Sequence, residues 1–154
     1  MKEISKIQSF RVDHDKILPG IYISRVDGDI TTFDLRTRKP NCGSYMDSTT
    51  MHTLEHMFAT FVRNSEIADD VIYFGPMGCQ TGFYLIVRNA DNNKVLEVVK
   101  NVLRHIISYE GEVFGSSQIE CGNYRTLCLD NAKNECRNFL EILDGKEHSF
   151  LYNS

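Results

Sequence analysis

The sequence contains no tryptophan, only three prolines, and no long block of one charge sign. It has no Gly/Ser-rich or Pro-rich tract, so no flexible linker divides it and residues 1–154 are expected to form a single domain. Basic residues number 17 against 21 acidic ones, a net charge of −4, and a nucleic-acid binder would instead show a basic excess. No apolar run approaches the ~20 residues needed to cross a bilayer, so no membrane span is expected. The first ten residues carry Lys2, Glu3 and Lys6 and lack the apolar stretch of a secretory signal. None of the glycine-rich nucleotide-binding motifs appears. The cysteines number five, at positions 42, 79, 121, 128 and 136. An odd number at irregular spacing does not make a closed disulfide framework. Reduced thiols of a cytoplasmic protein, free for metal binding or catalysis, are the simpler reading.

What is present is a globular composition, 42% hydrophobic and 25% charged over 154 residues, long enough to bury a sizeable core. Residues 8–12 read as a short strand. Residues 21–26 and 30–36 are rich in β-branched and aromatic side chains, and Asp27, Gly28 and Asp29 between them signal a hairpin. Ser48, Thr49 or Thr50 can cap a helix to about Asn64. Residues 71–74 and 82–88 read as strands around a Gly/Pro-rich turn. Asp91 can cap a helix to about Tyr109, with Val95, Val98, Val99, Val102, Ile106 and Ile107 on one stripe. Residues 111–124 are irregular, and Asp130 can cap a last helix that Gly145 stops. This order predicts an α+β fold, a mostly antiparallel sheet packed against about three helices.

Chemistry concentrates in residues 50–58. His52 and His56 stand i, i+4 on one helix face, with Glu55 inside the same arc of roughly 100°. Leu54, Phe58 and Phe61 fall on the opposite side. Two imidazoles at fixed separation with a carboxylate beside them suit a divalent metal and proton transfer. A solvated helix face carrying two histidines is the other reading of the same pattern. The order H-x-x-E-H is also that of the inverzincin peptidases. Cys79 sits among Gly75, Pro76, Gly78 and Gly82, a turn that allows a ligand to approach but equally fits an inert thiol. Cys121, before Gly122 in a polar loop, could reach a metal or be incidental. Cys42, Cys128 and Cys136 read as structural or incidental, His14 as a turn residue, and His105 and His148 as surface residues.

Taken together, these blocks resemble the LuxS family, the S-ribosylhomocysteine lyases, over almost the whole chain. The resemblance rests on Ser9 and Phe10 with Asp13 and His14; on Phe33, Asp34, Leu35 and Arg36 with Pro40 and Asn41; on residues 52–56; on residues 75–84 around Cys79; and on Cys121 with Gly122. It implies one divalent metal per subunit held by His52, His56 and Cys121, with water or substrate in the fourth position. Ferrous iron is the expected ion, with zinc or cobalt as alternative occupants. It implies proton transfer by Glu55 and Cys79, substrate binding by Ser9, His14 and Arg36, and a homodimer with sites at the interface. The implied reaction cleaves the thioether of S-ribosylhomocysteine to homocysteine and 4,5-dihydroxy-2,3-pentanedione, the autoinducer-2 precursor, serving quorum sensing or methionine recycling. One departure stands out: some members carry an Asp six residues before the catalytic cysteine, where this chain has Tyr73. Two rivals remain: an inverzincin-type peptidase, which would need a carboxylate as third ligand, and a non-catalytic metal-binding module, which would normally use four protein ligands.

Overall fold

A computed structural model of the chain describes residues 2–152. The hairpin expected at residues 27–29 forms: strand β1 (Gly20–Asp27) turns through Gly28 and returns as β2 (Ile30–Arg36), in antiparallel register from Gly20 opposite Arg36 to Asp27 opposite Ile30. Strands β3 (Val71–Pro76) and β4 (Gly82–Arg88) form a second antiparallel pair, and β4 adds to β2, giving the order β1-β2-β4-β3. Phe33, Leu35, Phe74, Phe83 and Leu85 all point to one face, because side chains alternate along a strand and opposed residues share a side.

That face is covered by three helices: α2 (Ser48–Val62), α3 (Asn92–Ser108) and α4 (Leu129–Asp144). The valine and isoleucine stripe read from the sequence is the buried side of α3, although Ile107 is only partly covered. Phe58 of α2 stacks on Phe74 at 4.3 Å and Phe74 on Phe83 at 5.0 Å, a column that pins α2 to the sheet. Burying one such phenylalanine stabilises by about 1.5–3 kcal/mol. The chain thus has the expected α+β architecture.

The opposite sheet face is polar. Tyr22, Asp34 and Tyr84 lie side by side across β1, β2 and β4, and Tyr152 from the C-terminal segment stacks on Tyr22 at 5.0 Å. Near this face the expected strand at residues 8–12 is instead one helical turn, α1 (Gln8–Arg11), with the Phe10 amide donating to the Ile7 carbonyl at 3.1 Å. Its alternation of apolar and polar residues is too short to define a period, and among the described residues no strand pairs with it. Two caps also shift by a residue or two. Asp47 caps α2, its carboxylate accepting from the Thr50 amide at 2.7 Å, and Cys128 rather than Asp130 opens α4.

Gly82 faces Arg36 across the β2–β4 ladder, and a Cβ there would lie 2.5 Å from the Leu35 carbonyl oxygen. Gly82→Ala is therefore expected to push these strands apart and cost about 1–3 kcal/mol, as overpacking does. Urea unfolding measures it; an unchanged midpoint would show that the strands already have room.

Candidate metal centre

Helix α2 divides its residues by burial. Leu54, Met57 and Phe58 are buried in the core, whereas His52, Glu55 and His56 are half-buried on the outer side. Thr53 lies between the histidines and the core and is fully buried. Its hydroxyl donates to the Thr49 carbonyl at 2.7 Å and accepts from the Cys128 amide at 2.8 Å, which ties the start of α4 to α2. The loop that carries Cys121 is thereby anchored beside His52.

One ligand atom from each of His52, His56 and Cys121 lies within 4.8 Å of the others. The Cys121 Sγ and His52 Nε2 are 3.3 Å apart. Two ligands of one tetrahedral ion stand ~3.5 Å apart at ordinary bond lengths, so the spacing fits a shared ion. The opposite ring nitrogens are engaged: His52 Nδ1 lies 2.8 Å from the Thr126 hydroxyl, and His56 Nδ1 lies 2.8 Å from the Phe114 carbonyl oxygen. A carbonyl can only accept, so His56 carries its proton on Nδ1 and presents the Nε2 lone pair. Such outer hydrogen bonds orient metal-binding histidines generally. The donor set of two nitrogens and one sulfur suits iron, zinc or cobalt.

The Phe114 carbonyl is held in place by an aromatic cluster. Phe61 meets Phe114 edge-on at 5.3 Å, and Tyr109 lies 4.9 Å from it. Phe61, expected on the core side of α2, is only half-buried and belongs to this cluster, stacking also on His105 at 5.5 Å. Gly115 follows with φ at +66°, and a Cβ there would sit 3.2 Å from His56 Nδ1. Its left-handed backbone and close approach to the ring both call for glycine.

Beside His56 opens a cavity of about 630 Å³, lined by Glu55, His56, Tyr73, Phe114, Gly115 and Glu120 among others. Tyr73 is half exposed and folds back over Gly75. The family model for S-ribosylhomocysteinase (LuxS) matches residues 7–149. An S-ribosylhomocysteine lyase of Finegoldia magna is 42% identical over 97% of this chain and 99% of its own length. Those of Desulfotalea psychrophila and Borreliella afzelii are 44% and 40% identical, covering 92% and 97% of this chain and 93% and 99% of their own lengths. The chain belongs to the S-ribosylhomocysteinase (LuxS) family.

The other residues singled out in the sequence of this LuxS-family chain gather elsewhere. Cys79 and His14 line a second cavity, of about 230 Å³, with Asn41, Tyr45 and Thr81; it shares no lining residue with the first. Cys79 is exposed, its sulfur 3.0 Å from the Thr81 hydroxyl and 3.9 Å from Arg36 Nη1. Arg36 donates to Thr81 at 2.8 Å and forms a buried ion pair with Asp34 at 2.6 Å; Tyr152 donates to the same carboxylate at 2.8 Å. Burial works against the Arg36 charge, but the Asp34 carboxylate more than offsets it, so the guanidinium holds its proton more firmly than usual. His14 sits in a turn with Nδ1 donating to the Val12 carbonyl at 2.9 Å, and Ser9 hydrogen-bonds the Tyr84 hydroxyl. Burial, then the Asp34 charge, raises the Tyr84 phenol above its ordinary range. Cys136 is fully buried in the core and Cys42 is exposed.

Thr126 and the pair Phe114–Gly115 carry no motif of their own and escape a reading by sequence, and Thr53 and Thr81, although inside the blocks 52–56 and 75–84, are given no role by it. A glycine in the irregular stretch ahead of Cys121 was the one signal on offer.

Replacing Cys121 by Ala removes a thiolate that a methyl cannot replace, so most bound metal should be lost. Elemental analysis of the purified variant checks this; full occupancy would exclude Cys121 as the third ligand.

Proposed function

We propose that this protein is a metal-dependent lyase that cleaves S-ribosylhomocysteine to homocysteine and 4,5-dihydroxy-2,3-pentanedione, and that it works as a cytoplasmic homodimer. The observation that carries the reading is the three-membered group of His52, His56 and Cys121, whose His56 lines a cavity together with Glu55. Among the described residues this group has no fourth protein member, which leaves a coordination position for water or substrate and favours catalysis over a structural site. The third member is a thiol rather than a carboxylate, which speaks against the inverzincin-type peptidase. Ferrous iron is the expected ion, with zinc or cobalt as substitutes.

A divalent ion held there would serve as a Lewis acid toward a substrate carbonyl oxygen. The sugar carbonyl must migrate from C1 to C3 before the sulfur on C5 can leave, because only then is the C4 proton acidic and the sulfur β to the carbonyl. Each shift needs a base to take a proton from carbon and an acid to return one to the neighbouring position. Glu55 is assigned to these transfers from the metal side and Cys79 from the other. In the last step the C4 proton leaves to a base, the C4–C5 double bond forms, and the C5–S bond breaks with its electron pair on sulfur. The thiolate takes up a proton as homocysteine, and the enol ketonises to the dione. Ser9, His14 and Arg36 are assigned to holding the substrate.

Glu55 and Cys79 line separate cavities of one chain, which supports a composite site in which one subunit offers His52, Glu55, His56 and Cys121 and its partner offers Cys79 with Ser9, His14 and Arg36. Glu55→Gln and Cys79→Ala should each keep metal and lose at least ~10²-fold in thiol release from S-ribosylhomocysteine, titrated anaerobically. Near-normal release by either variant would remove that residue from the chemistry. Mixing the two inactive variants so that subunits exchange should restore about a quarter of the sites, because half the dimers become mixed and each holds one intact site. No recovery on demonstrated exchange, or full activity from a species that light scattering finds monomeric, would refute the shared site.

A further inference from the structure

We infer that Thr126 is a positioning residue of the metal centre: its hydroxyl sets which nitrogen of His52 binds the metal and links that ring to the Cys121 thiolate. This rests on the metal-binding reading above. The Thr126 hydroxyl donates to the Asn123 carbonyl at 3.1 Å. Its single proton is thereby committed, and toward His52 Nδ1, 2.8 Å away, the oxygen can only accept. His52 is therefore fixed as the Nδ1–H tautomer, with the Nε2 lone pair facing Cys121 Sγ at 3.3 Å. The Asn123 amide in turn donates to that sulfur at 3.4 Å. One peptide segment so contacts two ligands at once: Asn123 N–H holds the thiolate, and Asn123 C=O aligns the hydroxyl that holds the imidazole. The two histidines are served differently. His56 relies on a backbone carbonyl that no substitution removes, whereas His52 relies on a side chain that a single exchange deletes.

The probe is cobalt(II) added to metal-free protein and competed with a chelator, followed by the thiolate-to-cobalt absorption band. Thr126→Val keeps the shape but loses the hydroxyl and should bind cobalt about 10–100-fold more weakly, the usual effect of removing a hydrogen bond behind a ligand. Thr126→Ser should restore wild-type affinity, which a purely packing role for the side chain would not give. Equal affinity in Thr126→Val and wild type, or equal weakening in the Val and Ser variants, overturns the inference. A wild-type protein that binds no cobalt overturns the metal reading itself, so the two failures are distinguishable. The zinc-loaded wild type gives a second measurement that needs no variant. Long-range ¹⁵N correlation spectra should show His52 bound through Nε2 with a slowly exchanging Nδ1 proton. Ligation through Nδ1 would contradict the assignment even where Thr126→Val fails to fold.

Discussion

The burial of one side of α2 is the constraint on which the rest depends. Leu54, Met57 and Phe58 must leave water, and the Phe58–Phe74–Phe83 column fixes how the helix rotates as it packs on the sheet. With 3.6 residues per turn, that rotation leaves His52, Glu55 and His56 no direction but outward. The geometry of the candidate metal site is thus set by a hydrophobic contact on the far side of the helix. Thr53 extends the effect sideways, since its buried hydroxyl draws in the amide at the start of α4 and brings the Cys121 loop alongside.

The two polar regions are built on different principles. The metal side is a helix face completed by two loops, each of which supplies one acceptor to one histidine. The Cys79 side rests on the sheet. There Arg36 is immobilised between Asp34 and Thr81, and the same threonine meets the thiol. A buried guanidinium paired in this way keeps its charge while losing its freedom to move, and its Nη1 stays 3.9 Å from the Cys79 sulfur. The separation of the regions within one chain makes assembly part of the chemistry under the composite-site reading.

Much of this was legible in the sequence because it depended on periodicity and turn residues. The hairpin follows from the Asp27, Gly28, Asp29 turn signal between two β-rich runs, the stripe of α3 and the histidine face of α2 follow from a spacing of 3.6, and the blocks around His52, Cys79 and Cys121 carried the family resemblance. Misreadings came where no period exists. Residues 8–12 are too few to separate a strand from a turn of helix, and the cap of α2 is Asp47 because the chain turns one residue earlier than the Ser/Thr run suggests. Phe61, placed on the core side by angle, does pack against the core, but it also meets Phe114 of a loop that spacing along α2 cannot reveal. The partners of the histidine rings were invisible for the same reason. Thr126 and Phe114 lie 74 and 58 residues from the histidines they hold, and nothing local in the chain marks them.

The central claim is that an open three-ligand metal centre drives carbon–sulfur cleavage. Titrating metal-free protein with ferrous iron under anaerobic conditions, while following thiol release from S-ribosylhomocysteine, tests it most directly. Activity should rise linearly with added iron and level off at one ion per chain. Thiol release at full rate before any metal is added, or a plateau that needs no intact Cys121, would contradict the account.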